Sequence, residues 1–191
     1  MFAPDKRLQP APLGAEGVPR RYSGNRQVPC REGRAMTRVE DSVIVDAPVQ
    51  AVFEYASDWR RWPEWFESVS EFRPTSEVTR GTGARYAYRA RLMGIQANVE
   101  TEIREFAENQ GWTGVATRGL SHRTFWWFEA QGESTRFTYA LEYQLPIPLL
   151  GTVLDTLIVK REWRRIIEKS LSNLQGHFGQ NAKRSTRRCT S

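Results

Sequence analysis

Residues 149–178 read LLGTVLDTLIVKREWRRIIEKSLSNLQGHF, and nothing from Thr152 to Gln175 breaks a helix. Leu157, Val159, Trp163, Ile166, Ile167, Leu171 and Leu174 recur at helical spacing as a broad apolar stripe. Lys160, Arg161, Glu162, Arg164, Arg165, Glu168 and Lys169 fall on the other faces. A stripe this wide must be covered, so the spacing predicts the chain's longest helix, lying across the dry side of a sheet.

Upstream of that helix the period changes from helical to two-residue alternation, and Gly-rich turn signals divide the stretch into strands. The turns fall at Gly81 and Gly83, at Gly94, at 108–111 (ENQG), at 118–121 (RGLS) and at 131–134 (QGES). In RYAYRARL, Tyr86, Tyr88, Ala90 and Leu92 oppose Arg85, Ala87, Arg89 and Arg91. In IQANVETEIR, Ile95, Ala97, Val99, Thr101 and Ile103 share a face, and in RFTYALEY so do Phe137, Tyr139, Leu141 and Tyr143. Each of these strands has one dry and one wet side, the mark of an antiparallel meander. With the run from Val69 to Arg73 and the opening strand, the sheet reaches seven strands.

The opening strand is RVEDSVIVDAP, with Val39, Val43 and Val45 on one face. APVQAVFEYASD follows with Val49, Val52, Phe53 and Ala56 at helical spacing behind Pro48, a short amphipathic helix. DWRRWPEWFESV then clusters Trp59, Trp62, Trp65 and Phe66, with Pro63 placed to open a second short helix.

Composition bounds the remaining readings. The 191 residues suffice for one domain with a real core, and neither a membrane-spanning run nor a signal peptide's apolar segment is present, which points to a cytoplasmic protein. Cys30 and Cys189 lie in the polar ends and make neither a disulfide framework nor a metal cluster. The net charge of +6 is carried by the ends. Residues 1–35 hold seven Lys/Arg against three Asp/Glu and residues 183–191 four against none, which leaves 36–182 near −2. A nucleic-acid-binding domain would carry its basic stripe on the folded body, so no nucleic-acid partner is expected. The domain reading is a disordered basic tail over 1–35, which could lie upstream of a true start at Met36, a folded domain over 36–178 and a second disordered basic tail over 179–191.

Strand, two short helices, six strands and a long helix resemble the helix-grip fold of the SRPBCC superfamily. The resemblance covers residues 37 to about 178 and rests on VIVDAPVQAVFEYASD, on WPEW at 62–65 and on LPIPLLGTVLDTLIVKREWRRIIEKSLSNL. The combination is similar to the polyketide cyclase/dehydrase and lipid-transport branch, with START-like helix-grip members. It implies an α+β fold, a curved antiparallel sheet wrapped around the C-terminal helix, with a deep pocket between them that takes a hydrophobic small molecule. Members include lipid carriers, quinone-binding proteins, aromatases and cyclases, so fold alone does not settle function.

On the dry faces, the expected ligand-binding residues are Tyr86, Tyr88, Leu92, Val99, Thr101, Ile103, Thr124, Trp126, Phe128, Phe137, Tyr139, Leu141 and Tyr143. Their hydroxyls among apolar neighbours suit a lipid, isoprenoid quinone or aromatic polyketide, bound without catalysis. The alternative is a cyclase, aromatase or dehydratase in which Tyr88 and His122 are the catalytic candidates, although a turn histidine is more cheaply read as solvated. A third reading starts from HRTFWWFEA, whose alternation sends Trp126 and Phe128 inward and Phe125 and Trp127 outward as a protein-interaction or transient membrane-surface contact. Arginine stems such as Arg89 or Arg136 could instead cover those two rings. His177 and Asp41 read as solvated, and the row Arg85, Arg89, Arg91 as a wet face paired with Glu100, Glu102 and Glu142. No metal site, cofactor motif or Ser/His/Asp set stands out, and the oligomeric state is left open.

Overall fold

The structure, a computed structural model, describes the backbone of residues 36–144 and 152–188 and the side chains of 36–144 and 157–180. The readings placed on 1–35, on 145–151 and on 189–191 lie outside the described residues. The elements run β1 (Thr37–Val45), α1 (Val49–Ser57), α2 (Trp62–Trp65), β2 (Val69–Pro74), β3 (Arg85–Leu92), β4 (Ile95–Ala107), β5 (Gly111–Arg118), β6 (His122–Gln131), β7 (Ser134–Tyr143) and α3 (Thr152–Arg188). All seven strands join one antiparallel sheet in the order β1-β7-β6-β5-β4-β3-β2. This is the helix-grip fold, α+β, with α1 and α2 between the first two strands.

Alternation sorts β1 and β7 as the sequence predicts, but on β4 it holds only for Val99, Thr101 and Ile103: Ile95 and Ala97, expected on the same dry face, are exposed toward the hairpin tip although the β3–β4 ladder is regular. On β1, Val39 and Val45 are buried while Arg38, Glu40 and Ser42 are exposed. On β7, Phe137, Tyr139, Leu141 and Tyr143 are all buried. An irregularity changes the other end of β4. The β4–β5 register shifts between Arg104 and Ala107, and Glu105 takes a positive φ of 51°. This bulge turns Phe106 inward, where it packs on Phe53 (5.5 Å) and Trp112 (6.0 Å), although the parity of Val99, Thr101 and Ile103 would send it out.

Helix α3 docks through the predicted stripe. Val159, Ile166, Ile167, Leu171 and Leu174 are buried, but Leu157 is 60% exposed, because it precedes the part of the helix that the sheet covers. Side-chain amides fix its direction: Gln175 donates Nε2–H to the carbonyl of Ile44 (2.8 Å) and Asn173 donates Nδ2–H to that of Trp65 (3.3 Å). Ser170 Oγ donates to the Ile166 carbonyl and accepts from the Glu67 amide (3.0 Å), pinning the α2–β2 link to the helix. The helix does not end at Phe178. It continues to Arg188 through what the sequence reads as a tail, since no proline interrupts residues 179–188. Among the described residues no helix is long and apolar enough to cross a membrane.

The outward rings of β6 are covered. Phe125 and Trp127 stack on each other (5.6 Å, 14°), and the Arg38 guanidinium lies over both, at 5.1 and 5.7 Å. The cover comes from β1 rather than from Arg89 or Arg136, because the intervening outward residue on β7 is the small Ala140. Arg38 is held there by Glu40 and Glu142 (2.7 and 2.8 Å). Arg89 pairs with Glu71 at 2.8 Å instead of Glu100, since the β2 bulge at Glu71 (φ 58°) swings that carboxylate over β3.

Candidate functional site

A cavity of about 70 Å³ lies between the inner faces of β3–β7, the α2 elbow and α3. Its deep end is closed by an aromatic cluster. Phe53 of α1 meets Phe106, Trp112 and Phe128 edge-on at 5.1 to 5.6 Å, and Phe128 stacks on Phe137 at 4.5 Å. The other end is looser, with Leu120, Thr124, Ala90, Val69 and Trp163 only half-buried in the wall. Because consecutive strands are antiparallel, this end is bordered by the β3–β4 hairpin, the β5–β6 turn and the end of β7. Trp163, 6.0 Å from Tyr143, brings the N-terminal half of α3 to the same end.

Nine residues expected at the ligand do line the cavity: Tyr86, Tyr88, Val99, Thr101, Ile103, Thr124, Trp126, Tyr139 and Leu141. Four do not. Phe128 packs on Phe53 and Phe137 on Phe128 in the closed end, Tyr143 packs toward Trp163, and Leu92 sits out by the hairpin tip. The walls also contain Trp62, Phe66 and Phe72, together with Trp112 and Trp163, rings that strand alternation alone does not place there. The WPEW cluster was the available signal: Trp62 donates its indole N–H to the Ala56 carbonyl (2.8 Å), which fixes the ring against Tyr86 (4.8 Å) and Trp126 (6.0 Å).

The cavity's polarity is concentrated at one place. Tyr88 Oη stands 2.9 Å from Thr101 Oγ1 and 3.1 Å from His122 Nε2, and Thr101 Oγ1 is 3.4 Å from the same nitrogen. His122 is thus no solvated turn residue but 7% exposed, because β6 begins at it and turns it onto the inner face. Its Nδ1 lies 2.8 Å from the Leu120 carbonyl. A carbonyl only accepts, so Nδ1 carries the proton and Nε2 is left as an acceptor for the Tyr88 hydroxyl. Burial lowers the imidazole pKa below its usual value, against a smaller opposing effect of the Leu120 carbonyl. Burial also pushes the Tyr88 phenol up to about 12, the Thr101 hydrogen bond offsetting it in part.

The other hydroxyls are differently engaged. Tyr86 donates to the Thr79 carbonyl (2.6 Å), so it presents its ring alone, while Tyr139 is buried with its pKa raised by burial. The Trp126 and Trp163 indole N–H groups are buried without an acceptor among the described residues. Gly114 of β5 makes room under the cavity: a Cβ there would collide with Thr124 Oγ1 and press on Thr101. Asp41 is half-buried in the middle of β1, opposite Tyr139 in the ladder, and does not line the cavity. His177, at the other end of α3, stacks on Tyr55 at 4.0 Å.

Comparison with known proteins agrees with this geometry. The family described as polyketide cyclase / dehydrase and lipid transport matches residues 36–179. No curated protein matches the sequence. Among solved structures, a protein of Thermus thermophilus superposes with a TM-score of 0.67 at 22% identity, covering 76% of this chain and 99% of its own. A START superfamily protein from Mycobacterium smegmatis gives 0.64 at 18%, with the same coverage. The ZhuI aromatase/cyclase from a Streptomyces species gives 0.63 at 14%, covering 78% of this chain and 96% of its own. At these identities the likeness speaks for the fold.

Proposed function

The chain belongs to the polyketide cyclase / dehydrase and lipid transport family, and from that premise we propose that its cavity binds a flat, largely apolar molecule bearing a hydrogen-bonding oxygen. The observation that carries this reading is the Tyr88–Thr101–His122 cluster on the wall of a cavity otherwise lined by rings and aliphatic side chains. Moving the ligand's apolar area out of water drives binding at about 25 cal/mol per Å², less ordering costs, and the polar cluster orients it. The unpaired Trp126 and Trp163 N–H groups, each costing about 1–3 kcal/mol when buried without a partner, favour a ligand that brings an acceptor such as a carbonyl. At about 70 Å³ the cavity is below the roughly 300–1,000 Å³ of common ligand pockets, so a single ring is what it seats. A lipid tail or fused polyketide needs Phe66, Phe72 and Trp163 to swing aside.

A second reading, proton abstraction in a cyclase or dehydratase, has the same cluster in its favour: Tyr88 would take a substrate proton while passing its own to His122 Nε2. The electrostatics weigh against it. An imidazole whose pKa is lowered by burial resists the positive charge that such a transfer leaves on His122. Binding without turnover is therefore the leading function.

The test is native mass spectrometry of the purified full chain, followed by titration of the ligand it identifies into wild type, Tyr88→Phe and His122→Ala. A binder retains most of its affinity in Tyr88→Phe, losing about the 0.5–1.5 kcal/mol of one hydrogen bond. Turnover of the ligand by wild type that disappears in Tyr88→Phe, with binding intact, would establish the enzyme instead.

A further inference from the structure

The cavity's looser end carries an apolar rim that the binding reading does not use. At the tip of the β3–β4 hairpin, Met93 is 52% and Ile95 64% exposed. On the first described turns of α3, at the same end, Leu157 is 60% and Ile158 37% exposed. Four of the six large exposed apolar side chains among the described residues thus lie on the elements that border this end.

The hairpin also bears backbone strain, of the kind seen at Glu71 and Glu105. Met93 has φ 50° and Gly94 φ 80°, the two positive values of a tight primed turn. Asparagine or aspartate is the usual residue at the first of these positions, because a long side chain there is strained. The chain thus bears strain to display an apolar side chain to solvent, the pattern expected where contact with a partner repays it.

Charge points to the partner's chemistry. Arg91, Arg118, Arg123, Lys160 and Arg161 lie on the elements that border this end, and none has an ion pair among the described residues. Among the described side chains, Glu142 is paired with Arg38 and Glu162 with Arg165, while Glu100 accepts from the Thr117 hydroxyl. We propose that this end docks on an anionic lipid surface, with Met93 and Ile95 entering the headgroup boundary and the unpaired cations facing the lipid phosphates. Docked this way, the opening faces the apolar phase and a ligand passes between membrane and cavity without crossing water. Phe125 and Trp127, stacked under Arg38, take no part.

The experiment is flotation of the full chain with phosphatidylcholine vesicles, with and without about a quarter phosphatidylglycerol. Wild type should float with the anionic vesicles and be released as salt is raised. Met93→Asp with Ile95→Asp should lower the bound fraction by about tenfold or more, whereas Val78→Asp, exposed in the β2–β3 connection, should leave it unchanged. Met93→Asn supplies a control that cannot fail through misfolding: it should raise the melting temperature, since asparagine tolerates positive φ, while weakening flotation. No flotation with anionic vesicles, or hairpin variants that float like wild type, would overturn the proposal. So would an apolar contact that proves to be self-association, seen as a dimer in wild type that the hairpin variants lose.

Discussion

At the residue scale the decisive group is His122, whose tautomer follows from a single carbonyl. With Nδ1–H tied to Leu120 and burial holding the ring neutral, the folded protein binds a proton less readily at this site than the unfolded chain does. His122 therefore contributes its full stabilisation above its ordinary pKa of 6.5, and that contribution is lost as pH falls below this value toward the lower folded-state pKa. Melting temperatures measured at about pH 7.5 and about pH 5.5 should differ more for wild type than for His122→Gln. Parallel pH slopes would show that the ring is not held neutral. Arg38 acts by covering. Its removal in Arg38→Ala should cost about 0.5–1 kcal/mol in cation–π contact and raise the binding of a hydrophobic dye by baring Phe125 and Trp127.

At the scale of elements, β5 shows how a strand is kept where it belongs. Gly111 has φ 146°, and a Cβ there would run into the backbone carbonyl of Trp126 on β6. Gly111→Ala should destabilise the domain by roughly 2–3 kcal/mol in urea titration, since backbone cannot yield as a side-chain end can. Phe53 plays the corresponding part for α1. It is fully buried against three rings, and Phe53→Ala should cost about 3–5 kcal/mol while leaving the Tyr88–Thr101–His122 distances intact. A loss much below that would mean the closed end can collapse onto the gap. Flanking turn signals made β5 visible in the sequence and helical spacing made α1 visible, but the contacts that make them costly to alter, the Trp126 backbone against Gly111 and the rings around Phe53, come from other elements of the chain.

At the scale of the whole molecule, the question is how a ligand enters between a sheet and a helix that already touch. Trp163 stands at the opening, half-buried and packed toward Tyr143. Trp163→Ala should speed uptake of a hydrophobic fluorescent probe in stopped-flow mixing, whereas an unchanged rate would place the route elsewhere. Amphipathic period, together with turn and proline signals, determined the seven strands, the two short helices and the long one, because burying one face of an element is a local demand written every second or every third to fourth residue and its ends are marked by local breakers. The inner faces of β1, β3 and β7 were legible for the same reason. The tertiary structure alone decided what those faces enclose. Phe128 and Phe137 share parity with Trp126 and Tyr139 yet seal the closed end, and His122 becomes buried because strands distant in sequence meet over it. The elbow rings Trp62 and Phe66 become cavity walls only when α2 folds back onto the sheet. A side chain's parity says which side of a strand it leaves from, and the depth at which it ends depends on the curvature of the sheet and on the helices laid against it.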